Sequence, residues 1–143
     1  RCGAYRQSNI SLFIEVAEAM GIYWVALTDN DYQGKKDQEK VRTSIGLRQL
    51  EDVLFVMIED DIEQHLCASG FVHIYESFLS TQSKNNIKVS ETNQEYPKQL
   101  TKAVKDHKIA CVHKVLEEIQ EGAPVPPLFE CVIDAAIRGA NSA

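Results

Sequence analysis

The first forty residues alternate between helical and strand-like patterns. Apolar residues recur at the spacing of one helix face over residues 12–20, with acidic residues on the other face. Candidate N-cap residues, Ser8 and Asn9, precede this pattern, and Gly21 follows it as a C-cap residue. Residues 22–28 are rich in aromatic and β-branched side chains, which predicts a buried strand. A helix, a glycine and a strand in this order make half of a βαβ unit.

The same two periodicities predict the later elements. Residues 71–78 fit either a strand or a helix, and we favour a helix. The other predicted elements are a surface helix over 35–50 with a break near Gly46, a second strand over 53–58, a helix over 61–69 closed by Gly70, a polar loop over 80–96, a helix over 97–104, a short break at 106–108, a helix over 109–120, a proline-rich turn over 122–127 and a last helix over 128–137.

Composition indicates a globular protein with one ordinary domain. The 143 residues are 44% apolar and 25% charged. No apolar run approaches the roughly 20 residues that span a bilayer, and the N-terminus lacks a signal-peptide pattern. We therefore expect a cytoplasmic location and no membrane partner. The chain opens with Arg-Cys-Gly instead of Met, so we also expect it to be the interior of a longer polypeptide.

The net charge and the spacing of cysteines and histidines argue against a basic nucleic-acid surface and against a zinc site. A net charge of −6 argues against a broadly basic nucleic-acid surface, so DNA would have to be held by metal ions, a local basic patch or other domains. The cysteines and histidines show no CxxC and no zinc spacing, which predicts reduced thiols and structural or exposed imidazoles. These residues are Cys2, Cys67, Cys111, Cys131, His65, His73, His107 and His113. No phosphate-binding glycine loop or hydrolase elbow occurs.

Acidic residues follow both predicted strands. Asp29 and Asp31 come directly after the first strand, and residues 59–63 carry a second acidic cluster that includes Glu63. The carboxyl ends of parallel strands lie at one edge of a sheet, which is where open α/β sheets bind their ligands. Carboxylate oxygens suit a hard cation such as Mg²⁺. A turn at Asn30 would be needed to bring Asp29 and Asp31 toward one ion, and Gly34 would let the chain fold back.

Each of these acids also has a simpler explanation. Helix N-termini favour Asp and Glu, so N-capping is the better interpretation of Asp60 and Asp61. Stabilisation by the helix dipole would alone account for Glu63. A metal-binding role is the better interpretation of the Asp29 and Asp31 pair, because a buried strand that runs into Asp-Asn-Asp carries more acid than solvation requires.

Lys108 is the candidate cation of such a centre. It lies in a short break before a predicted helix, where its charge could neutralise a phosphate oxygen. A solvated surface lysine is the alternative interpretation, and it is the usual fate of a lysine taken alone.

Three stretches together resemble the Toprim domain of the overcoming-lysogenization-defect (OLD) family of ATP-dependent endonucleases. Residues 21–31 are similar to that family's Gly-Ile-Pro, hydrophobic strand and Thr-Asp-x-Asp. Residues 55–66 are similar to its strand followed by Asp-hydrophobic-Glu-x-x-Leu. Residues 106–110 with 125–128 are similar to its Lys-Pro-x-x-Ala and hydrophobic-Pro-Pro-Leu ending. The stretches occur in the family's order and span most of the chain.

The resemblance implies a fold, an activity and a set of residue roles. It implies a Rossmann-like parallel sheet flanked by helices, and two-metal hydrolysis of DNA with Mg²⁺ or Mn²⁺. Asp29, Asp31 and Glu63 would be metal ligands, and Lys108 would assist catalysis. ATP would act only through an ATPase domain elsewhere in the longer chain, and a homo-oligomer is compatible with the pattern.

The chain also departs from the family. The motif reads Asp-Asn-Asp where Asp-Gly-Asp is commoner, and the first strand with its glutamate is missing from the pattern. We therefore predict an N-terminally truncated Toprim core over 1–80, a polar loop or insertion over 81–96, and a C-terminal helical part of the same domain over 97–143.

Two other functions stay open on sequence grounds. One is a non-catalytic Toprim-like module that partners an ATPase domain. The other is a receiver-like signalling domain, which also gathers acids at strand ends with a distant lysine. The order of the acidic sites is unfavourable to a receiver, because the acidic pair follows the first visible strand and the later site is a cluster.

Overall fold

The computed structural model describes residues 9–142, so the expectations for Ser8 and Cys2 lie outside the described residues. The described chain is mixed α/β, with a small parallel sheet flanked by helices, and this level of the predicted fold class is confirmed. The elements are α1 (Ile10–Ala19), β1 (Ala26–Thr28), α2 (Tyr32–Ser44), α3 (Leu50–Val53), β2 (Leu54–Val56), α4 (Ile62–Leu66), α5 (Val72–Ser77), α6 (Thr81–Lys84), α7 (Tyr96–Ala103), α8 (Lys108–Gln120) and α9 (Pro127–Ser142).

The chain divides into two compact units. The first takes in the described residues up to Asp60 and those from Pro127 onward, and it contains both strands. The second runs over 61–126 and is helical. The domain boundaries drawn at residues 80 and 96 from the sequence pattern stay a prediction.

The sheet of the first unit is a single parallel pair. β1 and β2 pair with Ala26 opposite Leu54 and Thr28 opposite Val56. Both strands are shorter than the predicted ranges, which were 22–28 for the first strand and 53–58 for the second. Val53 ends α3 and therefore offers no strand partner to the residue before Ala26. The parallel direction places the carboxyl ends of both strands side by side.

The end of α1 shows how local sequence sets a boundary. Gly21 has a φ of 65°, a left-handed conformation that glycine adopts without a Cβ penalty. The N–H of Gly21 donates to the carbonyl of Glu18 at 3.1 Å, and the N–H of Ile22 donates to that of Ala17 at 2.8 Å. This pair of bonds is a Schellman motif, and the predicted C-cap role of Gly21 is confirmed. Asn9 occupies the N-cap position but makes no side-chain capping bond.

The core of the first unit lies between α1, β1 and α2. Ile14, Ala26 and Val41, one from each element, form its buried cluster. Partly buried side chains pack around that cluster: Ile10, Trp24, Ile45, Leu50 and Leu54. Because α2 begins at Tyr32, three residues earlier than predicted, its first turn lies directly against the end of β1. Gly46 has a φ of 61° and lies in the predicted break.

The second unit is built on α4, α5, α7 and α8. Gly70 ends the helix that begins with α4, as predicted, because its φ of 107° is not helical and the chain kinks there. The turn Cys67–Phe71 contains this kink and leads into α5. The favoured helix over 71–78 is confirmed as α5. The buried side chains of this unit include Leu66, Phe71, Ile74, Tyr75, Leu100, Val104, Cys111 and Val115.

The remaining predicted elements differ mainly in length. The polar loop over 80–96 holds one short helix, α6, whose N-cap is Ser80. The break before α8 is a 3₁₀ turn, Lys105–His107. The last helix is longer than predicted and runs over Pro127–Ser142. Within residues 9–142, every helix is too short or too polar to cross a membrane.

Candidate functional site

The Asp-Asn-Asp loop leaves β1 and enters α2 at the carboxyl edge of the strand pair. The N–H of Met57 donates to the carbonyl of Thr28 at 3.1 Å, one step beyond the paired residues. The side-chain amide of Asn30 donates to the carbonyl of Ile58 at 3.2 Å. These two bonds tie together the segments that follow β1 and β2. The prediction that both strands end at one edge is confirmed.

Asp31 has a structural role that the sequence reasoning did not assign to it. Its Oδ1 accepts a hydrogen bond from the N–H of Gly34 at 2.7 Å, so Asp31 is the N-cap of α2. N-capping satisfies one of the helix's unpaired N–H groups and places a negative charge at the positive end of its dipole. Helix capping, which was weighed for Asp60 and Asp61, therefore also applies to Asp31.

Gly34 is required by close packing. A Cβ built on Gly34 would lie 1.9 Å from the carbonyl oxygen of Asp29, closer than any side-chain atom can approach. Gln38, one turn further along α2, donates its side-chain amide to the same oxygen at 3.2 Å. The expectation that a side chain at residue 34 would obstruct the chain is confirmed, and the obstruction is the Asp29 backbone itself.

Thr28 carries an unusual polar atom beside this loop. Its residue is 5% exposed, and its Oγ1 has no hydrogen-bond partner among the described residues. Leaving a buried hydroxyl unpaired costs roughly 1–3 kcal/mol, and native proteins usually satisfy such groups with protein or water. The Thr28 hydroxyl is therefore a buried polar atom that the described residues do not satisfy.

The other two predicted site residues meet in the second unit. Nζ of Lys108 lies 2.8 Å from Oε1 of Glu63. The Glu63 side chain is 12% exposed and that of Lys108 is 44% exposed. Lys108 therefore has a carboxylate partner within its own unit, and a catalytic role for it stays a prediction. The pair borders a cleft of about 350 Å³, with Ile109, Val112 and His113 along the same helix.

Asp61, two residues before Glu63, is a capping residue as predicted. Its Oδ1 accepts from the N–H of Gln64 at 2.9 Å, and its Oδ2 accepts from the side-chain amide of Gln64 at 2.9 Å. Both carboxylate oxygens are therefore engaged in the first turn of α4.

The site residues form two pairs, each inside its own unit. Asp29 and Asp31 belong to the first unit, and Glu63 and Lys108 belong to the second. Among residues 9–142 there is no group of three or more His, Cys, Asp or Glu side chains placed to hold one metal ion. The predicted convergence of Glu63 on Asp29 stays a prediction.

Asp29 and Asp31 carry carboxylates, which are the type of donor that Mg²⁺ takes. Mg²⁺ keeps several waters and is commonly bound by one or two carboxylates together with substrate phosphates. Asp29 and Asp31 supply such carboxylates, and Gly34 leaves the loop without an obstructing side chain. Asp31 caps α2 through one oxygen, which leaves its second oxygen outside that bond.

Cysteines in the described residues are free thiols, as predicted. Cys67 and Cys111 are buried and Cys131 is exposed. Burial raises the pKa of the Cys67 thiol from 9.0 to about 12, and nearby Cys111 and carboxylates add to that rise. Burial also raises the pKa of Cys111. These buried thiols are poor nucleophiles and poor metal ligands at neutral pH.

The residues that hold the Asp29 loop in place are not evident from the sequence pattern. The pattern predicts only that Asn30 permits a turn, and it gives Gln38 no role. Gln38 lies four residues after Gly34, so one helical turn separates them. That spacing would have been informative only with the correct start of α2.

Comparisons with known proteins return no relatives. No protein-family model matches the chain, and neither a curated protein nor a solved structure matches it.

Proposed function

We propose that this chain is the metal-binding part of a DNA endonuclease that uses Mg²⁺ or Mn²⁺ and resembles the Toprim domains of the OLD family. The observation that carries the proposal is the Asp29–Asp31 loop at the carboxyl edge of the parallel strand pair. Contacts from Asn30, Gln38 and Gly34 hold the backbone of this loop, so the two carboxylates extend from a rigid backbone. A rigid backbone favours a ligand site, because it lowers the entropy lost on binding.

Asp29 and Asp31 would hold the divalent ion, and Glu63 would be the further acidic ligand. Bound ions would position the attacking water and stabilise the leaving oxygen of the phosphodiester. Lys108 would neutralise negative charge on a phosphate oxygen. Its ion pair with Glu63 at 2.8 Å keeps the ammonium group in a defined position before a substrate arrives. In this proposal ATP acts only through an ATPase domain of a longer chain.

Metal binding is the first test. Mn²⁺ is titrated into the chain by calorimetry, with Asp29→Asn and Asp31→Asn as site variants. Glu39→Gln is the matched control, because Glu39 is an exposed acid on α2 and its change removes the same charge. We expect each site variant to weaken binding about tenfold or more, since each removes a charged ligand. Equal binding by all four proteins would show that the assignment of Asp29 and Asp31 is wrong.

DNA cleavage is the second test. Supercoiled plasmid is incubated with the chain and Mg²⁺ or Mn²⁺, and nicked and linear products are separated on a gel. The proposal expects products that disappear with a chelator and with Asp29→Ala, and that decrease with Lys108→Gln. Unchanged cleavage by Asp29→Ala would overturn it.

The second candidate is a non-catalytic module that binds an ATPase domain. It is favoured by the ion pair between Glu63 and Lys108, since this pair already engages the carboxylate proposed as the further metal ligand. It predicts no heat with Mn²⁺ and no effect of changing Asp29 and Asp31 together. Metal binding that depends on both aspartates would exclude it.

A further inference from the structure

The helix α1 carries two apolar faces, and the first unit buries only one of them. Ile14 belongs to the buried core cluster, and Ile10 packs against that cluster. The other face, which we call the outer face of α1, consists of four large apolar side chains, each 48–72% exposed: Leu12, Phe13, Val16 and Met20. A surface helix usually combines one apolar stripe with a polar face, and a larger exposed apolar patch marks an interaction site.

The spacing along the outer face is that of a seam between two helices. Phe13, Val16 and Met20 are three and four residues apart, which is the spacing of the core positions in paired helices. Met20 is the C-cap residue of α1 and retains right-handed helical backbone angles, so it continues this spacing. The outer face therefore has the geometry to pack against a second helix.

Charge on α1 does not oppose the pairing of two outer faces. The two acids of the helix are Glu15 and Glu18. Glu18 is engaged by its own unit, where it pairs with Arg48 and accepts a hydrogen bond from Trp24 at 2.6 Å. Glu15 lies one residue before Val16 and therefore about 100° away around the helix. The four side chains of the outer face are themselves uncharged.

The outer face is also complementary to itself. In a two-fold pair, each contact between two different residues occurs twice, once in each direction. When two α1 helices lie antiparallel with Val16 next to the axis, Phe13 of each copy lies opposite Met20 of the other. A thioether against an aromatic ring is a favourable contact. The same favourable contact therefore forms at both ends of the pair.

The area of the outer face reaches what a dimer requires. At their exposed fractions the four side chains present on the order of 500 Å² per copy, so two copies would bury about 1,000 Å² through them alone. That total is the lower bound for a specific protein–protein interface. An interface of this size predicts a weak dimer, with a dissociation constant in the micromolar range.

We propose that the outer face of α1 is a dimer interface, in which α1 packs antiparallel against α1 of a second copy of this chain. The interface uses none of the residues proposed to hold metal or to act on phosphate. It therefore stands or falls separately from the proposed nuclease activity.

The test is sedimentation equilibrium of the full chain from about 1 to 200 µM. The average mass should rise with concentration from that of one chain toward that of two. Each copy carries a net charge of −6, so salt should strengthen the dimer by screening the repulsion between copies. An interface held by ion pairs would weaken with salt instead, and that result would overturn the proposal.

Substitutions on the outer face locate the interface. Val16→Glu places two carboxylates beside each other at the two-fold axis and should weaken the dimer about a hundredfold or more. Phe13→Ala and Met20→Ala should each weaken it about tenfold. Because these two side chains contact each other across the interface, the double variant should weaken the dimer less than the product of the single effects, and effects that simply multiply would contradict the antiparallel pairing. Ile133→Glu is the control, because Ile133 is a similarly exposed apolar residue of another helix, α9.

Urea unfolding at the lowest concentration, where the chain is monomeric, separates folding from association. Val16→Glu should leave the free energy of unfolding near that of the parent chain there, because Val16 is exposed in the single chain. A chain that stays monomeric at every concentration, or an equal loss of dimer with Ile133→Glu, would overturn the proposal. A strong destabilisation of the monomer by Val16→Glu would also overturn it, since the chain itself would then cover the outer face.

Discussion

Lys108 Nζ lies 2.8 Å from Glu63 Oε1, which joins the first residue of α8 to the first turn of α4. Both residues were singled out from the sequence for separate reasons, Lys108 as a cation for phosphate and Glu63 as a metal ligand. The pair shows that a lysine weak as a sequence signal has a defined carboxylate partner in the fold.

Breaking this ion pair should lower the free energy of unfolding by a small but measurable amount. Lys108→Gln, Glu63→Gln and the double variant form a cycle, and urea unfolding should give a coupling of about 1 kcal/mol or less, because water screens the partly exposed Lys108. The Lys114–Glu117 pair, with both side chains more than half exposed, serves as the control cycle. Equal coupling in both cycles would contradict a special role for the Lys108–Glu63 contact.

Two substitutions of Asp31 should separate its capping of α2 from its proposed binding of a metal ion. Asp31→Ala removes the cap of α2 and should lower the free energy of unfolding by about 1 kcal/mol. Asp31→Asn keeps a good N-cap oxygen, so stability should stay close to that of the parent chain while Mn²⁺ binding weakens about tenfold or more. Urea unfolding and calorimetry measure the two effects. A loss of stability in Asp31→Asn as large as in Asp31→Ala would show that charge, and not capping, is what α2 requires.

Gly34→Ala should destabilise the chain by roughly 1–3 kcal/mol, despite the better helix propensity of alanine. The new Cβ would overlap the Asp29 carbonyl, and backbone cannot move aside as a flexible side chain can. Lys35→Ala, at the next and exposed position of α2, should be nearly neutral in the same urea experiment. A neutral Gly34→Ala would mean that α2 can shift away from β1.

Ionisation of the Cys67 thiol should lower the free energy of unfolding at alkaline pH. Its thiol has a pKa of about 12 when folded and an ordinary value of 9.0, so the unfolded state loses its proton first. Stability should therefore fall as pH rises from about 9 toward 12, because the unfolded state binds fewer protons there.

Cys67→Ala tests this linkage. The decline in stability above pH 9 should be shallower in the variant, although its stability at neutral pH is lower because a small cavity replaces the sulfur. Parallel declines in both proteins would assign the alkaline sensitivity to other groups, among which Tyr75 also has a pKa raised by burial.

The boundaries of individual elements show where sequence reasoning succeeds. Gly21 was identified as the end of α1 and Asp61 as a helix cap, and both are local events that depend on a few neighbouring residues. The start of α2 was misplaced because Asp31 fits two roles, loop ligand and N-cap, and local pattern does not choose between them. Gly70 is a further local event of this kind, since a glycine with a φ of 107° ends one helix before the next begins.

Periodicity and short-range chemistry are enough to predict the amphipathic and strand-like segments, their order, and the acidic loop after β1. The packing of the elements is what brings Asn30 to Ile58, Gly34 against Asp29, and Lys108 to Glu63. It also placed Tyr23 beside Gly139, which α9 brings back to the start of β1. These contacts join residues distant along the chain, so they follow from how the elements pack and not from any pattern within one segment.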